Sequence, residues 1–128
     1  MVSRRRSLGR FCPHLLAVLT LCLLPGLAPA ETLYFRNECN MPVVVQAVGV
    51  VRGVFQRSKP YLLKIGDRTP GITMPGDKVI YVYDTKVPNR VLLRYTIRAG
   101  LTDQYYGIVP DVPPPKVGLM KREPFPKR

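Results

Sequence analysis

The chain has 128 residues, 20 Lys and Arg against 8 Asp and Glu, a formal charge of +12, and no tryptophan. Its only histidine, His14, and two of its three cysteines, Cys12 and Cys22, lie near the N-terminus. The remainder therefore lacks the imidazole that Ser-His-Asp and Cys-His sites require, and the set of soft ligands that zinc or copper sites require.

The opening "MVSRRRSLGR" carries four arginines and no acid, and "FCPHLLAVLTLCLLPGLAPA" follows as an apolar run ending in small residues. This pattern predicts a signal peptide over residues 1–30, with Ala28 and Ala30 forming an A-x-A site and cleavage after Ala30. Pro13, His14 and Pro25 interrupt the apolar run and leave it short of the roughly 20 residues that a spanning helix needs. Leu21 before Cys22 argues against lipidation, and "SRRRSL" resembles the twin-arginine export signal with Ser7 in place of its aromatic residue. The expectation is an exported protein, periplasmic, cell-surface or secreted, with no transmembrane helix in the mature chain. Cleavage leaves 98 residues with sixteen cations against eight acids, a net +8. One small domain fits that length.

Strand signals recur along this mature chain. In "TLYFRN" Leu33 and Phe35 share one face against Thr32, Tyr34 and Arg36. "PVVVQAVGVV" is apolar on both faces except for Gln46, as in a central strand covered on each side. "GVFQRS", "PYLLKIG", "KVIYVYD", "RVLLRYTIRA" and "QYYGIVP" follow, separated by Gly, Pro, Asn and Asp. No window has sustained helical periodicity, and the runs are rich in β-branched and aromatic residues. About seven short strands predict an all-β fold, a single antiparallel β-sandwich of general immunoglobulin-like architecture over residues 31–109.

Two stretches carry a resemblance. "ITMPGDKVIYVY", with Pro75, Gly76 and Asp77 before an alternating run, resembles the turn of many small bacterial immunoglobulin-like and related sandwich domains. It implies a positive φ at Gly76 and a cap by Asp77. "FRNECNMPVVVQA" is similar to the opening strand of thaumatin-like proteins, which carry many cysteines where the mature chain has one, so no property transfers from it. From Pro110 the composition changes to "PDVPPPKVGLMKREPFPKR". Residues 110–128 are expected to be a proline-rich basic segment: polyproline II over Pro113–Pro115, an optional edge strand in "KVGLM", and a mobile tail.

Site candidates are few. In "RVLLRYTIR" simple alternation puts Val91, Leu93, Tyr95 and Ile97 in the core. Arg90, Arg94 and Arg98 then lie on the opposite face as a basic stripe, about 13 to 14 Å per step at strand rise. This stripe is the candidate polyanion-binding site. "KVIYVYD" reads as buried on both faces, which makes Tyr81 and Tyr83 packing residues. Asp67, Asp77, Asp84, Asp103 and Asp111 are the only aspartates available for carboxylate catalysis, and their Gly, Pro or strand-end settings point to turn chemistry instead. Cys39, the lone mature cysteine, is expected to be buried and reduced. No cofactor or metal is expected. The partners expected are an anionic polysaccharide or anionic membrane surface or, alternatively, an exported protein docked at a sheet edge or the tail; a carboxylate-based hydrolase is the third and weakest reading.

Overall fold

The computed structural model describes residues 31–127; the predicted signal peptide lies outside the described residues. Among the described residues nine strands run in chain order: β1 (Thr32–Asn37), β2 (Val43–Val51), β3 (Val54–Arg57), β4 (Tyr61–Leu63), β5 (Ile72–Thr73), β6 (Lys78–Asp84), β7 (Val91–Ile97), β8 (Gln104–Pro110) and β9 (Val117–Arg122). They form two sheets. The first is ordered β5-β1-β8-β9 and the second β3-β2-β6-β7, with β4 also paired to β2. Among the described residues there is no helix, so none is long and apolar enough to cross a membrane.

The fold is all-β, and the sheets are mostly antiparallel, consistent with a β-sandwich. One pair departs from the expected topology: β1 runs parallel to β8, from Leu33 opposite Gln104 to Asn37 opposite Ile108. A parallel pair needs a long crossover rather than a hairpin. Here the crossover is the whole second sheet.

Both sheets contribute to one core. Leu33 and Phe35 of β1, Ile108 of β8 and Val117 of β9 meet Val43, Val45, Ile80 and Val82 of the second sheet, all fully buried. Alternation in β1 reads as expected, with Leu33 and Phe35 inward. In β2 and β6 it does not. Val43, Val45 and Ala47 are buried while Val44 and Gln46 are half-buried and Val50 is exposed. In β6, Lys78, Ile80 and Val82 are buried while Val79, Tyr81 and Tyr83 are half-buried. Both strands are central in hydrogen bonding, yet only one face of each is covered. The apolar outward residues shield one another on an open face.

Lys78 faces inward because its register places it opposite Gly49 and Ile97. Its ammonium meets the Glu31 carboxylate at 2.5 Å with both side chains buried. Glu31 also accepts from Gln104 Nε2 at 2.6 Å, and Gln104 Oε1 accepts from the Tyr106 hydroxyl. Burial, with Tyr95 and Glu31 adding, pushes the Tyr106 hydroxyl above its ordinary pKa. At the other end, buried Asn37 donates to the carbonyls of Met41 at 2.8 Å and Leu63 at 3.1 Å and accepts from the Cys39 amide at 2.9 Å. Both its donors and its oxygen thereby find backbone partners, as a buried amide requires.

The C-terminal region is part of the fold. β9 pairs with β8 from Tyr105 opposite Arg122 to Pro110 opposite Val117, so "KVGLM" does supply an edge strand, and Val117 is in the core. The linking residues are not polyproline II. The chain must reverse between Pro110 and Val117, and it closes on Asp111 N to Lys116 O at 2.9 Å, with cis peptides before Pro113 and Pro115. Beyond β9 the tail lies against the outer face of the first sheet. Phe125 sits edge-on to Tyr105 at 5.2 Å, Tyr105 stacks on Tyr34 at 4.7 Å, and Arg68 donates to the Pro126 carbonyl at 2.7 Å while covering the Phe125 ring.

Candidate functional site

The tail packs on the outer face of the first sheet. The outer face of the second sheet is open, and its side chains follow from the register. Tyr83 lies beside Val44 and Val91, Tyr81 beside Gln46 and Arg94, and Val79 beside Val48 and Thr96. On the far side of β2, Arg57 opposes Val48 and Phe55 opposes Val50. Strand alternation puts all of these on the side away from the core. The two tyrosines are therefore surface residues, contrary to their assignment as core packing. Their rings stack at 5.9 Å with 14° between planes, and the Arg94 guanidinium lies 6.0 Å from the Tyr81 centroid. Val48, Val50, Phe55, Val79, Tyr81 and Arg94 border a shallow groove of about 400 Å³.

The arginine stripe is broken by a bulge. Val82 opposes Leu93, but Tyr83 opposes Val91, so Leu92 is an extra residue in β7. An extra residue reverses the alternation on one side of it. Leu92 is consequently buried and Val91, expected in the core, is exposed opposite Tyr83; beyond the bulge Leu93, Tyr95 and Ile97 keep the core side, opposite Val82, Ile80 and Lys78, with Tyr95 partly exposed. Arg94 remains on the open face. Arg98 is exposed just beyond the strand end. Arg90 falls out of phase with Arg94, opposite Asp84, whose carboxylate lies 3.8 Å from its guanidinium. The uniform three-arginine spacing does not exist. Arg94, Arg98 and Arg57 share the open face instead, and none of the three makes an ion pair among the described residues. Arg57 was not legible as a site residue. The Arg52-Gly53 pair between two apolar runs was the available signal, because a two-residue hairpin fixes what opposes what.

Each aspartate holds backbone. Asp67 accepts from Lys64 N at 3.0 Å, Asp84 from Lys86 N at 2.9 Å, Asp103 from Thr32 N at 3.3 Å and Asp111 from Val112 N at 2.7 Å. Asp77 does not cap its own turn; it accepts from Ala99 N at 2.7 Å and ties that turn to the end of β7. Gly76 takes the positive φ expected of it, 77°. Cys39 is buried, as expected, with its thiol donating to the Ile108 carbonyl at 3.3 Å. Burial, and secondarily the Glu38 charge, raises its pKa. Raised pKa and burial both oppose thiolate reactivity. Comparison with protein-family models and with curated proteins finds no match.

Proposed function

We propose that the chain is an exported, non-enzymatic binding module, a β-sandwich of general immunoglobulin-like architecture, that engages an anionic polymer or surface through the open face of β2, β6 and β7. The observation that supports this reading is the unpaired Arg94 lying over Tyr81 on an exposed, apolar face. A guanidinium on an aromatic ring keeps its charge and its outward N–H donors while its position is fixed. Arg57 and Arg98 extend the positive field, and the mature excess of +8 brings polyanions to it. Arg90, neutralised by Asp84, contributes less.

The test is binding of the exported chain to dextran sulfate across a salt series. Replacing Arg94 and Arg98 by Gln should weaken binding and flatten the salt slope, because fewer counterions are released. Arg90→Gln should change both much less. Equal effects from the two variants would reduce the site to diffuse charge. A second reading, docking of an exported protein by strand addition, has one observation in its favour: among the described residues, β7 ends its sheet with no strand on its outer side. Edges of this kind are templates for pairing. Binding of that kind would tolerate salt.

A further inference from the structure

The β2–β3 turn and the β7–β8 loop lie at the same end of the second sheet, since Gly49, Lys78 and Ile97 are register partners across β2, β6 and β7. That end is apolar. Val50, Val54 and Phe55 on the hairpin are 55%, 62% and 66% exposed, and Leu101 on the loop is 84% exposed. It is also basic. Arg52 stands at the hairpin tip and Arg57 on β3, with no acid from β2 through β3, and Arg98 lies at the end of β7; Asp77 and Asp103, on the neighbouring turn and loop, are held by the Ala99 and Thr32 amides. The turn itself has φ of 53° at Arg52 and 75° at Gly53. Positive φ at both central positions is the type I′ hairpin turn, where Asn-Gly is the favoured pair and a long side chain at the first position is disfavoured. An arginine stands at the tip against that preference.

We infer that this end of the fold is a wedge that enters the interfacial region of an anionic lipid bilayer. Val54, Phe55 and Leu101 would lie among the acyl chains, Arg57 at the phosphates, and the Arg52 guanidinium would reach back from the tip to them. The inference rests on the proposed function and names its surface. Apolar area plus cations is the combination that holds a peripheral segment in an anionic interface. A two-stranded tip is too narrow for a typical protein partner, which covers about 800 Å² on each side. The hairpin from Val43 to Arg57 carries cations and no acid, which suits a negative sheet of headgroups.

The chain has no tryptophan, so Phe55→Trp places a single emitter in the wedge. Vesicles of phosphatidylcholine with phosphatidylglycerol should shift its emission to the blue, and brominated acyl chains should quench it; phosphatidylcholine alone should do neither. Val112→Trp, at the opposite end and 79% exposed, should keep its aqueous emission. Arg52→Asn should leave the urea midpoint unchanged or raised while weakening vesicle binding about fivefold. Vesicle binding with no change in the emission of the Phe55→Trp variant overturns the wedge and leaves the arginine face of the proposed function standing. Failure to bind either vesicles or dextran sulfate overturns both. Retained vesicle affinity in Arg52→Asn overturns the role given to the tip.

Discussion

The buried Glu31–Lys78 pair supports the most quantitative test. Both side chains are essentially without solvent contact, and they meet at 2.5 Å. Glu31→Gln keeps the shape and a partner for Gln104 but leaves the Lys78 ammonium without a counter-charge. Removing one partner of such a pair costs about 3–5 kcal/mol. A domain of this size has about 5–15 kcal/mol in total. With a urea slope of about 1–3 kcal/mol/M, the midpoint should fall by about 2 M. Lys78→Met should cost a similar amount, since it strands the carboxylate. The double variant leaves no buried charge, because the amide introduced at position 31 still bonds Gln104 while the thioether introduced at position 78 fills the lysine's space. It should recover most of the loss, giving a coupling of about 2 kcal/mol or more. Urea titrations of the four proteins at one pH close the cycle. Single losses below about 1 kcal/mol, or a double variant equal to the sum of the singles, would refute the claim that the charges depend on each other.

Cys39 should resist a thiol reagent at about pH 8 in the folded chain and react on unfolding, since burial both blocks access and holds the thiol protonated. Its raised folded pKa gives a stability contribution that is present below the ordinary thiol pKa and is lost as pH rises through the folded value. Urea titrations of the chain and of Cys39→Ala should therefore share a slope against pH below the ordinary thiol pKa and diverge as pH rises from there toward the folded value, the chain losing stability relative to the variant. Deleting residues 123–128 should leave a folded protein with a modest loss, because only Phe125 and the Arg68–Pro126 bond are given up. Deleting residues 117–128 should abolish cooperative unfolding, because it removes Val117 and the partner of β8. Thermal melts followed by circular dichroism distinguish the two, and a cooperative transition in the longer deletion would contradict the placement of β9 in the core.

Local pattern made part of this fold legible. Leu33 and Phe35 announce an inward face because "TLYFRN" alternates without a break, and the all-β class follows from many such runs. Features set by partners were not legible. The bulge at Leu92 is fixed by what opposes it on β6, so alternation alone misassigned Val91 to the core and aligned Arg90 with Arg94. Tyr81 and Tyr83 resemble buried residues in sequence because they shield one another and Val79 on an open face. Lys78 resembles a solvated turn residue, and only its register turns it inward to Glu31. The arginine-rich character of the face was visible in the sequence. Which arginines share it depended on the hairpin and the bulge.

The parallel pairing of β1 with β8 sets the order in which the molecule can be completed. Thr32 and Asp103, which bond at its edge, are 71 residues apart. Until β8 has emerged, β1 has only the two-residue β5 beside it, and most of its hydrogen-bonding edge is unpaired. The hairpins of the second sheet close over short distances, so that sheet can form early, whereas the first must wait for β8. A chain halted before residue 104 thus presents an apolar strand with a free edge, the form of intermediate most prone to aggregate. The long interval between the first strand and its partner leaves the first sheet open until the strands of the second have been made.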